Sequence, residues 1–281
     1  MSARLVQEAG FDGVWASSFG ISLASRCVAD VDLVTMTETV DIVRKMVDAT
    51  DLPVVVDGNS GFGNAVNVIH MTRLLERAGA AGVCIEDNQY PKRCSLYDRA
   101  SRELVTAQTM AGKIRAAVDA REDPDFLVIS RIESLIAGEG VEAAWLRAEA
   151  YAEAGSDAIV VHAKAFPALE EFLAGWKGSC PLVAIPTLYN QVSLGHLEAH
   201  GYRLAIFPNQ SIRAAIQAMR TTLATLRETG TGNSVDDLTV PLKDIYELVD
   251  LPAIEAAEHS FIPDDDAVVR IVPQVAVAQH K

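Results

Sequence analysis

The sequence predicts an α/β fold, a (β/α)8 barrel of parallel strands, on three observations. The first is a recurring unit: a helix closed by glycine, two or three further residues, then a short apolar strand. It stands at 8–18 (EAGFDGVWASS), 77–87 (RAGAAGVCIED), 153–163 (EAGSDAIVVHA) and 199–208 (AHGYRLAIFP). Glycine just past the last helical turn adopts the left-handed conformation cheaply, so the next strand can start at once. The second is the Val/Ile/Leu-rich character of the segments at 53–58, 126–134 and 181–186, which suits parallel strands buried on both faces. The third is that several strands end in a polar or charged residue: Asp57, Glu86, Arg131 and His162. A barrel collects its chemistry at the C-terminal ends of several strands, which favours it over an open doubly wound sheet.

Taken in order, the first recognisable element, 2–9, is already a helix, so a barrel would lack its opening strand and only seven strands are expected. Either a start upstream of Met1 or a naturally short chain accounts for this. Amphipathic helices are expected at 37–49, 66–78, 106–120, 141–154 and 211–227, between the strands. After Gly230 the rhythm breaks. GTGNSVDD reads as a linker and VPLKDIYELVDL (240–251) as a separate amphipathic helix. The expected division is therefore a barrel over 1–230 and, over 231–281, a linker, helix and tail packing on a neighbouring subunit of a homo-oligomer, dimer or tetramer.

Composition narrows the function. A net charge of −14 disfavours unspecific binding to nucleic acid or an anionic membrane. No apolar run approaches the ~20 residues of a membrane span, and no basic-then-apolar signal opens the chain. Cys27, Cys84, Cys94 and Cys180 show neither CxxC pairing nor zinc-ligand spacing, as expected of reduced thiols in a cytoplasmic protein. GFGN at 61–64 lacks the spacing of a nucleotide or dinucleotide loop.

The most informative segment is VCIEDNQYPKRCSL at 83–96. An apolar strand ends in the acidic pair Glu86-Asp87, and a loop with Lys92, Arg93, Cys94 and Ser95 follows. Strand-end carboxylates can hold a divalent cation, and such a loop can close over what the cation binds. Asp57 before its Gly-rich turn is either a metal ligand or an Asx turn. Arg131, after four apolar residues and a serine, must face a carboxylate, the substrate's or that of Glu133. Cys94 can act as an acid if Lys92 and Arg93 lower its pKa. Asn209 and Arg213 either contact substrate or open a capped helix. His70, His196, His200, His259 and His280 fall on helices or the tail and read as structural.

DGNSGFGN (57–64), EDNQYPKRCSL (86–96), SRIESLIAG (130–138), VVHAK (160–164) and IPTLY (185–189) together resemble the phosphoenolpyruvate mutase/isocitrate lyase superfamily, and within it the mutase and phosphonopyruvate hydrolase branch. The resemblance implies a (β/α)8 barrel, Mg²⁺ (or Mn²⁺), a 2-oxo acid or enolate intermediate, and oligomers that exchange their last helices. Carried over by position, it makes Asp57 a metal ligand, with Glu86, Asp30 and Asn59 holding metal-bound waters. It implies that His162 binds a phosphoryl group, that the Ser17 and Ser18 amides hold an enolate oxygen, and that Lys92 and Ser95 act from the loop.

Three positions depart from the mutases. Their DxD reads Asp57-Gly58-Asn59 here, Asn88 replaces the lysine of their EDK, and Cys94 replaces the asparagine before Ser95. The hydrolases keep that lysine. PKRC resembles the lyase loop KRCGH, whose cysteine transfers a proton, although Ser95-Leu96 stand in place of Gly-His. The leading expectation is a mutase interconverting a phosphoenolpyruvate-type ester and its phosphonate. The alternatives are a C–C lyase or C–P hydrolase acting on a small phosphorylated or carboxylated 2-oxo acid, with Cys94 as acid, and a repurposed non-catalytic barrel.

Overall fold

The computed structural model describes residues 1–94 and 103–261, so Ser95 and the end of the tail lie outside the described residues. The elements run α1 (Ser2–Glu8), β1 (Val14–Ala16), α2 (Ser18–Arg26), α3 (Met36–Val47), β2 (Val54–Asp57), α4 (Ala65–Arg77) and β3 (Gly82–Glu86). They continue with α5 (Ala107–Ala120), β4 (Leu127–Ile132), α6 (Ser134–Ala137), α7 (Val141–Glu153), β5 (Ala158–Val161), α8 (Phe166–Gly175), β6 (Leu182–Ala184), α9 (Leu194–Ala199), β7 (Tyr202–Ala205) and α10 (Gln210–Thr229).

Seven strands pair in chain order, β1 to β7, every neighbouring pair parallel. Among the described residues β1 and β7 are the two edges, which matches the barrel one strand short that the sequence predicts. The glycine rule holds at all four recurring units: Gly10, Gly79, Gly155 and Gly201 have φ of 76°, 84°, 95° and 85°. An L side chain is strained there.

The sheet has two apolar faces. Val54, Val56, Val83, Ile85, Val128, Ile132, Ile159 and Val161 pack against the helices in the larger core. Cys84, Ile129, Val160, Val183, Ile185 and Ile206 form a second cluster, against which Trp15 and Val55 pack. Residues from β1 through to the segment after β7 share this cluster, so the sheet curls around it and fills its own interior.

Gly82 shows how tightly β3 and β4 pair. A Cβ at this position would meet the Leu127 carbonyl oxygen at 2.7 Å and Leu127 Cβ at 2.8 Å. Gly82→Ala is expected to destabilise the protein by about 1–3 kcal/mol. The measurement is the urea midpoint, which should fall with the slope unchanged. An unaltered midpoint would mean that the two strands separate without cost.

Met1–Arg220 form one compact unit, and a second begins at Thr221, inside α10. The described part of the second unit holds the end of α10, a 3₁₀ helix (Gly232–Leu238), α11 (Leu242–Leu248) and α12 (Leu251–Phe261). The expected linker is thus partly helical, since the GNSVDDL segment winds into the 3₁₀ turn. A further helix, α12, follows the predicted one.

Candidate active site

Side-chain alternation along the strands decides which residues meet. Trp15, Val55, Cys84, Ile129 and Val160 belong to the interior of the curled sheet. The residue two further along each strand therefore emerges on the same face at the C-terminal rim. These are Ser17, Asp57, Glu86, Arg131 and His162, and together with Asp30, Lys92, Cys94 and Asn209 they line one pocket.

One side of the pocket is acidic. Asp30, Asp57 and Glu86 are all buried, as is Asn59 two residues past Asp57. Ser18 Oγ donates to Asp57 Oδ2 at 2.9 Å and accepts from Lys92 Nζ at 2.8 Å. Lys92 Nζ lies 3.1 Å from Asp30 Oδ2 and 4.0 Å from Glu86 Oε1. The cation expected on a closing loop is therefore buried among the carboxylates, at 3% exposure. Its backbone N–H also donates to Asp32 Oδ2 at 2.6 Å, a tether that sequence inspection does not reveal.

These neighbours set the charges. Burial pushes the Glu86 carboxyl up to about 7, against the pull of Lys92 and Arg131. Burial also acts to raise Asp57, but there Lys92, Arg131 and the Ser18 hydroxyl prevail and hold it below the usual carboxylate range. The Asp57 turn is pinned from below, because Lys113 Nζ on α5 donates to the Ser60 carbonyl at 2.7 Å. Asp57 Oδ1 accepts from the Asn59 N–H at 3.2 Å, so the Asx turn weighed for this residue is present at the pocket wall.

The other side is basic. Arg131 Nε donates to Glu133 Oε1 at 2.5 Å, Nη2 reaches His162 Nδ1 at 2.8 Å, and Nη1 lies 3.7 Å from Glu86 Oε2. The internal carboxylate weighed for Arg131 thus engages it, while the side chain still lines the pocket. His162 Nδ1 also lies 2.9 Å from Glu133 Oε1. A guanidinium only donates, so its bond places the imidazole proton on Nε2, whereas the Glu133 bond places it on Nδ1. Glu133, fully buried, orients both Arg131 and His162.

The acidic pair that stands out in the sequence is divided by the strand. Glu86 faces the pocket. Asp87 faces α7, accepting from Tyr151 Oη at 2.7 Å, Arg147 Nη1 at 3.1 Å and the Glu133 N–H at 2.9 Å. Burial raises Asp87 to about 6 in spite of Arg147 and Tyr151. Asp87 is a structural anchor, and Asn88 returns to the pocket side, its Nδ2 donating to Glu86 Oε1 at 3.0 Å.

The expectation for the serine amides is corrected in part. The Ser17 N–H donates to the Trp15 carbonyl at 3.0 Å, and its side chain caps α2 by accepting from the Gly20 N–H at 3.3 Å. The Ser18 N–H is in the first turn of α2, where a helix supplies no acceptor. Asn209 is buried in the pocket wall, and its carbonyl accepts from the Arg213 N–H at 3.1 Å at the start of α10. It lines the pocket and opens the helix, whereas Arg213 is exposed.

Sequence reasoning passes over the apolar lining, Trp15, Phe19, Ile185 and Pro208, and over Thr187. Thr187 Oγ1 is buried without a hydrogen-bond partner. Its signal was its place in IPTLY, directly after β6.

The phosphoenolpyruvate phosphomutase family profile matches residues 1–227. The chain belongs to the phosphoenolpyruvate phosphomutase family. Phosphonopyruvate hydrolase of Variovorax sp. (strain Pal2) is 38% identical over 263 residues, 92% of this chain and 90% of that one. A crystal structure of phosphoenolpyruvate phosphomutase from Streptomyces platensis subsp. rosaceus matches with a TM-score of 0.90 and 40% identity, over 93% of this chain and 91% of that one. Phosphonopyruvate hydrolase in complex with oxalate and Mg²⁺ matches with a TM-score of 0.87 and 37% identity, over 93% and 91%. Relatives also include 2,3-dimethylmalate lyase of Eubacterium barkeri. The protein is an enzyme of this phosphomutase family, with its TIM-barrel-type α/β fold.

Proposed function

We propose that this phosphomutase-family enzyme is Mg²⁺-dependent and interconverts a phosphoenolpyruvate-type ester and its phosphonate. The observation that carries the reading is the division of one pocket into a carboxylate side and an Arg131–His162 side. The donors suit a hard dication. All are oxygens, they already gather an ammonium group, and Asn59 Oδ1 is buried without a partner. Asp57 would hold Mg²⁺ directly and Glu86, Asp30 and Asn59 through water; when bound, the metal would supply positive charge beside a developing enolate oxygen.

The chain's own residues would do the rest. Arg131 and the Ser18 amide hold the pyruvate enolate, and His162 and Lys92 hold the phosphoryl group. The enol P–O bond breaks, a P–C bond forms at the methylene carbon, and neither water nor a proton is consumed. Trp15, Phe19, Ile185 and Pro208 exclude the water that would divert the phosphoryl group to hydrolysis.

A second reading rests on Cys94, which is buried in the pocket wall. In a lyase it would protonate the departing enolate. Phosphorus NMR of phosphonopyruvate with enzyme and Mg²⁺ separates the readings. Conversion to phosphoenolpyruvate, retained in Cys94→Ala, is expected. Phosphate and pyruvate would indicate a hydrolase. An unchanged spectrum would sink the mutase and leave the Cys94-dependent lyase, in which Cys94→Ala abolishes cleavage of a 2-oxo acid precursor but spares its binding.

The second unit supports a homo-oligomer. Leu242, Ile245, Tyr246 and Ile254 on α11 and α12 are exposed apolar side chains suited to covering by a neighbouring subunit. Among the described residues no helix is long and apolar enough to cross a membrane.

A further inference from the structure

We propose a transition-metal site, distinct from the pocket, formed by Glu170 of α8 with His196 and His200 at α9, and suited to Zn²⁺. One ligand atom from each residue lies within 4.8 Å of the other two. None of the three lines the pocket already described. The histidines are four residues apart and so share one helix face, and Glu170 comes from the preceding α-helix.

The supporting contacts order the ligands. The Ser193 side chain caps α9 by accepting from the His196 N–H at 3.2 Å, which fixes the start of this short helix. His200 Nδ1 lies 2.8 Å from the His196 carbonyl. A carbonyl only accepts, so Nδ1 carries the proton and Nε2 keeps its lone pair. A backbone carbonyl fixing the tautomer is the usual partner of a metal-binding imidazole. The two rings stand 4.2 Å apart, and Phe166 meets both edge-on at 5.1 and 5.6 Å. This packing restricts both imidazoles before any metal arrives.

Two imidazoles and a carboxylate are a borderline-to-hard donor set that prefers Zn²⁺ to Mg²⁺, and three protein ligands leave one position for water or an external donor. The carboxylate pocket, made of oxygen donors, would keep its preference for Mg²⁺. Bound metal would clamp α8 to α9, two successive helices of the sheet's outer layer.

The test is Zn²⁺ calorimetry on the full chain with Mg²⁺ in excess, together with histidine side-chain NMR. The expected result is one Zn²⁺ per chain, shifts confined to two histidine rings, and a raised Tm. His200→Ala and His196→Ala should each weaken binding at least about tenfold. Glu170→Gln lies outside the aromatic cluster and tests the site without disturbing that packing; it should also weaken Zn²⁺ binding while leaving unfolding without Zn²⁺ unchanged. No uptake above that of Mg²⁺, or uptake unchanged in all three variants, would overturn the proposal. The readout is metal affinity, so failure of the mutase assignment would leave it standing.

Discussion

Arg131→Ala is expected to destabilise the protein by about 3–5 kcal/mol and to abolish turnover. Glu133 is fully buried and Glu86 nearly so, and each lies within 4 Å of the guanidinium. Both carboxylates raise the Arg131 pKa well above its ordinary value, overcoming the opposing effect of burial. Removing the guanidinium takes the nearest fixed positive charge from both carboxylates in a low-dielectric pocket, and that undercompensated burial is the main loss. Arg131→Lys separates folding from function. It restores a positive charge, so most of the stability should return. A single ammonium cannot bridge Glu133 and His162 as the planar fork does, so kcat/KM should still fall about a hundredfold. Urea unfolding and steady-state kinetics on both variants give the answer. Wild-type stability in Arg131→Ala would mean that water replaces the guanidinium without penalty.

Lys92→Met is expected to make the stability of the enzyme depend on Mg²⁺ more steeply than in the wild type. Without metal, the ammonium is the charge that holds Asp30, the Ser18 hydroxyl and, more distantly, Glu86 in one cluster. Methionine fills similar volume and removes the charge, so the metal-free variant should lose about 3 kcal/mol. Saturating Mg²⁺ would return roughly that amount, since a ligand at a hundred times its Kd contributes about 2.7 kcal/mol. Thermal unfolding with and without Mg²⁺ measures both quantities. An identical Mg²⁺ response in variant and wild type would show that Lys92 and the metal do not share these carboxylates.

Strand rhythm, helix-ending glycines and polar strand ends are local signals, and they made seven strands and the four strand-end residues of the pocket wall legible in the sequence. Asp57, Glu86, Arg131 and His162 were readable because each terminates an apolar run. What could not be read depends on packing between distant segments. Glu86 and Asp87 look equivalent as neighbours, yet alternation turns one to the pocket and the other to Arg147 and Tyr151 on α7. Lys92 reads as a cation on a closing loop, and nothing local shows that Asp32, sixty positions away, tethers its amide. Nothing local to His196 and His200 shows that α8 brings Glu170 beside them.

The two-residue offset between the interior layer and the rim also bears on how this scaffold changes chemistry. The apolar plug and the reactive side chains occupy separate floors of the same strands, so exchanging a residue on the upper floor leaves the lower one unaltered. Asn59, Asn88 and Cys94 lie beyond the ends of β2 and β3, so substitutions there leave the apolar layer in place. A one-residue insertion within a strand has no such freedom. It would turn Arg131 outward toward the helices and put Ser130 in its place at the rim.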